Sequence, residues 1–96
     1  MTDVSVRDNP EEHRFEAYVD GRLAGFSAYE VSDSVITFTH TEVDDAFEGH
    51  GVGSTLVRAA LDQVRAGSTR RVRPRCPFVR AWIDEHPDYQ DLLRKR

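Results

Sequence analysis

The chain has 96 residues, 39% of them hydrophobic, with 17 acidic and 13 basic side chains for a formal charge of −4. That length predicts one domain over residues 1–96, and its content of Val, Leu, Ile and Phe excludes disorder by composition. A single Cys excludes an intrachain disulfide and points to a reducing compartment.

Residues 1–14 are polar and carry Asp3, Asp8, Glu11 and Glu12, unlike the basic start and apolar middle of a signal peptide. No apolar run approaches membrane-spanning length, so the expectation is a cytoplasmic soluble protein with no membrane contact and a loosely ordered start over residues 1–12. Phe15, Ala17 and Val19 then alternate with other side chains, as on a strand, and Asp20-Gly21 is a hairpin signal because the tight primed turn needs positive φ. A second strand is expected over Leu23–Val31 and, after the Ser32-Asp33-Ser34 turn, a third over Val35–Val43. Strict alternation along the third puts Ile36, Phe38, His40 and Glu42 on one side and Val35, Thr37, Thr39, Thr41 and Val43 on the other.

The period then changes. From Gly53, the residues Leu56, Val57, Ala60, Leu61 and Val64 recur at helical spacing to about Ala66, with Gly67 as a stop. Arg71, Val72 and Arg73 predict a short strand ended by Pro74, and Pro77 suits the first position of a second helix with Phe78, Val79, Trp82 and Ile83 on its apolar side. His86-Pro87 interrupts that helix, and Asp88–Arg96 reads as a last turn or short helix. The fold class is therefore α+β, a mixed α/β arrangement of antiparallel meander, helix, strand and helix.

Charge divides unevenly along this order. Residues 1–57 carry −9 and residues 58–96 carry +5, the asymmetry expected of a C-terminal part that faces something anionic. The stretch between the meander and the long helix, Phe47-Glu48-Gly49-His50-Gly51-Val52-Gly53-Ser54-Thr55-Leu56, has glycines on alternate positions. Such a loop turns sharply and brings backbone N–H groups close to a ligand, and the helix that follows adds unpaired N–H groups and a positive dipole end. Spacing rejects two phosphate motifs. No Lys follows Gly53, as a P-loop needs, and Ser54 stands where the dinucleotide fingerprint needs Gly.

The loop is similar to the acyl-coenzyme A loop of the GNAT N-acetyltransferase superfamily: Arg or Gln, two residues, Gly, any residue, then Gly or Ala. Gly51 and Gly53 match, and Glu48 stands at the first position. Together with Thr39-His40-Thr41-Glu42-Val43, Leu56-Val57, Pro74-Arg75-Cys76-Pro77-Phe78-Val79 and His86-Pro87-Asp88-Tyr89, it makes the chain resemble a short, single-domain GNAT-like subfamily from Phe15 to Leu93. The resemblance implies a twisted mixed sheet whose fourth and fifth strands splay apart to admit the pantetheine arm of acetyl-CoA. It implies that Thr41, Glu42 and Val43 offer backbone hydrogen bonds to that arm, and that Glu48, Gly49, His50, Gly51, Val52, Gly53 and Ser54 hold the pyrophosphate. Arg58, Arg70, Arg71, Arg73, Arg75 and Arg80 lie on segments expected near the cofactor, where one or two are expected to meet its 3′-phosphate with bidentate, charge-assisted bonds, and Arg80 is the candidate counted among the cofactor-binding residues.

Acetyl transfer from a thioester to an amine needs a neutral amine, a donor for the developing oxyanion and a proton for the leaving thiolate. His40 and Glu42 are the candidate bases, and the Val43 N–H is a candidate carbonyl donor. Cys76, ahead of Pro77 at a helix start and close in sequence to Arg75 and Arg80, is the third candidate catalytic residue, either carrying the acyl group or assisting direct transfer. Tyr89 is a candidate proton donor, although the Tyr-x-x-x-Gly-Phe ending of many GNAT enzymes is absent. His13 and His86 have no partner at metal-ligand spacing, so no metal is expected. The partners implied are acetyl-CoA and an amine. A non-catalytic acyl-CoA-binding module is the alternative, and a nucleic-acid role for the arginine run fits poorly with an acidic domain that interleaves no aromatics there.

Overall fold

A computed structural model describes residues 3–94. Five strands form one sheet in the order β1-β2-β3-β4-β5, with β1 Val4–Asn9, β2 Arg14–Val19, β3 Arg22–Val31, β4 Val35–Val43 and β5 Arg71–Pro74. The first four are antiparallel and β5 runs parallel to β4. Helix α1 covers Val52–Gly67 and α2 covers Pro77–Asp84, while Asp45–Phe47 and Pro87–Leu93 are 3-10 segments. The meander, helix, strand and helix follow the expected order, and Asp20 (φ 51°) and Gly21 (φ 77°) make the turn that the Asp-Gly pair predicted. Residues 95 and 96 of the expected last turn lie outside the described residues.

From Val4 onward the chain corrects the expectation of a loosely ordered start, of which residues 1 and 2 lie outside the described residues. Residues Val4–Asn9 form an edge strand on β2, with Val4 opposite Val19 and Val6 opposite Ala17. Both valines pack on the core, the Gln63 side chain donates to the Val6 carbonyl (3.3 Å), and the Tyr29 hydroxyl donates to Asp8 (2.5 Å). The acidic composition of the segment hides a two-residue apolar alternation that α1 covers.

The core lies between one sheet face and the two helices. Phe15, Ala17, Tyr29, Ile36 and Phe38 from the strands meet Leu56, Val57, Ala60, Leu61 and Val64 from α1, and Val79, Trp82 and Ile83 from α2. Burying residues of this size stabilises the fold by about 1.5–3 kcal/mol each before entropy is subtracted. On the other face Glu16 is also buried, at 4% exposure. Burial alone would raise its pKa, but hydrogen bonds from Tyr18 (2.7 Å), Arg14 (2.8 Å) and Asn9 (3.2 Å) outweigh that and hold it below the usual carboxylate range.

A second correction concerns β4. Ala28 pairs with His40, but the next β3 residue, Tyr29, pairs with Phe38, so Thr39 is an extra residue in the ladder. This bulge reverses the alternation. Ile36 and Phe38 point into the core, whereas His40 and Glu42 stand on the opposite face, and Thr41 and Val43 take over the inner one. The apolar stripe expected to include His40 and Glu42 does not form.

Candidate active site

The strands β4 and β5 part company halfway along β4. Their pairing runs from Val35–Arg71 to Phe38–Pro74, and one further bond follows, from the Cys76 N–H to the Phe38 carbonyl (2.9 Å). Pro74 and Pro77 turn the chain into α2, so residues 39–43 of β4 have no strand neighbour on that side. The Asp44 N–H donates to the Ala24 carbonyl on the β3 side (2.8 Å). Backbone groups alternate along an antiparallel strand, which directs those of Thr41 and Val43 toward the open side.

The glycine loop follows where β4 ends. Asp44 caps the 3-10 turn through a bond from the Ala46 N–H (2.9 Å), and the Glu48 N–H is already used by the Asp45 carbonyl (3.3 Å). Gly49 (φ 82°) and Gly51 (φ 73°) adopt the left-handed backbone that disfavours other residues, with nothing near the position a Cβ would take. Gly51 is the N-cap of α1 and carries no side-chain cap. The N–H groups of Val52, Gly53 and Ser54 therefore have no acceptor from within the helix, and the first helical bond comes from Thr55 to Gly51 (3.1 Å). Val52 and Gly53 are buried, whereas His50, Gly51 and Ser54 are exposed. Uncapped N–H groups behind two open glycines suit the phosphate oxygens of a pyrophosphate.

Gly53 has a different function from Gly51. A Cβ on it would lie 2.8 Å from the Phe78 ring, so its small size lets α2 close against α1. The next residue, Ser54, accepts a 2.9 Å bond from the Trp82 indole N–H. Trp82 in turn stacks on His86 at 3.7 Å, which fixes the first turn of α1 to the second helix.

His40 and Glu42 form a 3.6 Å pair on the outer face, with side chains 61% and 63% exposed. The His40 ring lies 6.0 Å from Phe26, over which Arg14 also sits at 4.7 Å. Cys76 lies on the inner side of the gap, 3% exposed, and its thiol donates to the Thr41 hydroxyl (3.4 Å). Thr41 also meets the fully buried Ser27 at 2.9 Å. Sequence reasoning had not singled out Ser27, and it placed Phe78 on the apolar side of the second helix without its contact to Gly53. A serine in register with Gly25 and Tyr29 on the buried face of β3 was the available signal for the first.

The structure thus brings Thr41 and Cys76 together on the side where β4 leaves β5, with Val43 and the loop from Gly49 to Ser54 following along the chain and His40 and Glu42 on the far face of the same strand. Two candidates stand elsewhere. Arg80 is exposed and lines a pocket beside β5, two residues round the helix from Phe78. The Tyr89 hydroxyl donates to Asp62 (2.7 Å) and accepts from Arg58 (3.3 Å). The Asp62 bond and burial raise its pKa against the opposing effect of Arg58, so its proton is held away from the gap.

No helix among the described residues is long and apolar enough to cross a membrane. Residues 14–92 match the family model described as GCN5-related N-acetyl-transferase. The protein named NATD1 from Bos taurus is 34% identical over 64 residues, covering 67% of this chain and 56% of its own length, and the Homo sapiens protein is 33% identical over the same shares. The chain spans little more than half the length of these curated relatives. Among solved structures, Ard1 from Thermoplasma volcanium superposes with a TM-score of 0.56 at 29% identity, over 67% of this chain and 44% of that one. A ribosomal-protein-alanine N-acetyltransferase from Brucella melitensis biovar Abortus 2308, 19% identical, shares the fold at a TM-score of 0.57 over 86% of this chain and 63% of its own. With the family model spanning all but the two ends of the sequence, the chain belongs to the GCN5-related N-acetyltransferase family.

Proposed function

We propose that the chain transfers an acetyl group from acetyl-CoA to an amine. The observation that carries this reading is the opening of β4 after Phe38, immediately before the uncapped, glycine-bearing start of α1. Gly49, Gly51 and the N–H groups of Val52, Gly53 and Ser54 hold the pyrophosphate, and the backbone of Thr41 and Val43 pairs with the pantetheine arm as a missing strand would. When bound, acetyl-CoA supplies an activated thioester. The Val43 N–H donates to the oxygen on which negative charge develops. Glu42, or His40 beside it, accepts the amine proton on the outer face, since imidazole and carboxylate are the side chains suited to that transfer. On the inner side the Cys76 Sγ–H, held by Thr41, keeps a proton close to where the thiolate departs. A pocket of about 340 Å3 bordered by Phe26, Glu42, Val43 and Asp44 gives the amine a place to enter.

A module that binds acyl-CoA without turnover is the second reading. It is favoured by the openness of the outer face, where more than half of the His40 and Glu42 side chains meets solvent. Incubation with acetyl-CoA and a panel of primary amines separates the two. Acetylated amine seen by mass spectrometry supports transfer. Calorimetric binding of acetyl-CoA without acetylated amine supports the module, and no binding removes both.

A further inference from the structure

Among the described residues, six arginines have a side-chain partner, whereas Arg71, Arg73, Arg75, Arg80 and Arg94 do not. Arg14 bonds Glu16, Arg65 bonds Asp91, Arg58 bonds Tyr89 and Arg70 bonds the Ser32 carbonyl, while Arg7 and Arg22 lie over Tyr18 and Phe47. By contrast, the guanidinium groups of Arg71, Arg73 and Arg80 make no hydrogen bond, ion pair or ring contact among the described residues. These three border one pocket of about 190 Å3 at the free edge of β5. Its remaining walls include Val72, Ile83 and Leu93, and its single carboxylate is Asp84, which pairs with none of the three.

From these residues we propose a second anion site that takes a phosphomonoester, separate from the glycine loop. Three guanidinium groups and one carboxylate give the lining a formal charge of +2, which matches the charge of about −1.5 to −2 on a phosphomonoester at neutral pH. Arginine forks bind phosphate oxygens bidentately, and three arginines without partners along one pocket suit an anion. Val72 and Ile83, each 1% exposed, close the floor of the pocket, and the half-buried Leu93 gives the apolar surface for a small organic group attached to the phosphate. The site is distant from the loop. Arg71 and Arg73 pair with Val35 and Thr37, and the loop follows Val43, the last residue of β4, so six to eight residue steps or about 20–26 Å of strand separate these two arginines from it. Within α2, Phe78 meets Gly53 of the loop, and Arg80 is turned about 200° away from it.

Titration of the 15N-labelled chain with phenyl phosphate, followed by NMR, tests the site. Saturable shifts at the amides of Val72, Ile83 and Leu93 are expected, with binding at least about tenfold weaker in Arg71→Gln/Arg73→Gln at an unchanged melting temperature. Shifts confined to Gly49–Gly53, no saturable shift, or equal affinity in the folded double variant would overturn the proposal. A second arm compares CoA with dephospho-CoA. If CoA moves the pocket amides and dephospho-CoA does not, the phosphate is the cofactor's own and the proposal of a separate ligand fails. If neither moves them while phenyl phosphate does, the separate site stands.

Discussion

The Cys76 thiol donates to the Thr41 hydroxyl across the gap where β4 leaves β5, at 3.4 Å, and Thr41 continues to Ser27 at 2.9 Å. Three small polar side chains thus line the inner side of the opening in an otherwise apolar region. Arg75 and Arg80 are exposed, and no hydrogen bond joins either guanidinium to the thiol among the described residues. A sulfur 3% exposed and bonded to a hydroxyl presents little open surface for attack on a thioester.

Direct transfer is therefore expected, with Cys76 assisting. Intact-mass analysis after incubation with acetyl-CoA should show no acyl adduct on the wild-type chain. Cys76→Ser, which keeps a hydrogen-bond donor, should retain most activity, while Cys76→Ala should lose about 1 kcal/mol of stability and more of the rate. An acyl adduct that disappears in Cys76→Ala would establish the covalent route instead.

Gly51 and Gly53 should respond differently to alanine. At Gly51 the left-handed backbone costs about 1–2 kcal/mol for any L side chain, and the strain falls on the phosphate loop. Gly51→Ala should lower both the urea midpoint and acetyl-CoA affinity. At Gly53 the obstacle is the far end of the Phe78 ring, a side chain 45% exposed and free to swing outward. Gly53→Ala should cost less, and Phe78→Ala in the same chain should recover most of the loss. Equal costs at the two positions would contradict this division.

The buried Glu16 predicts a pH signature. Its folded pKa is depressed, so its contribution is complete above the unfolded carboxylate value of about 4.3 and is lost as pH falls through the lower folded value. Glu16→Gln should destabilise the chain by about 1–3 kcal/mol at neutral pH, measured by urea unfolding. The difference from wild type should narrow below about pH 4. A difference independent of pH would mean that shape, not charge, is what Glu16 contributes.

Trp82, the only tryptophan, reports on the start of α1. Its indole N–H bonds Ser54, so a ligand on the loop should change its fluorescence saturably. Ser54→Ala leaves that buried N–H without a partner, which costs about 1–3 kcal/mol, and should shift the emission even without ligand. Acetyl-CoA binding measured by calorimetry with no fluorescence change would place the ligand away from this turn.

Most of the fold was legible because its signals are local. Asp20-Gly21 sets a primed turn, Leu56 to Val64 keeps helical spacing, and Pro77 begins a helix. The family resemblance likewise pointed to the family whose model residues 14–92 match. What sequence could not supply was the bulge at Thr39. It depends on how β4 registers against β3, a non-local property, and a one-residue shift moves every later side chain to the other face. That shift separates His40 and Glu42 from Phe38 and puts Thr41 beside Cys76. The N-terminal strand was hidden for a related reason, because Val4 and Val6 gain their meaning only from α1 packed over them. Arg80 was placed among the arginines expected near the cofactor, and it lines the pocket beside β5, two residues round the helix from the Phe78 that meets Gly53.

The central claim is that the open side of β4 and the start of α1 hold acetyl-CoA while the outer-face pair of His40 and Glu42 takes a proton from an amine. The most direct measurement is amine-dependent release of free CoA thiol by the wild-type chain, Glu42→Gln and His40→Gln, with acetyl-CoA binding measured on the same samples. Saturable release by the wild type, reduced at least about tenfold in one of the two variants with binding unchanged, is the predicted result. Binding without amine-dependent release, or release equal in all three proteins, would contradict it.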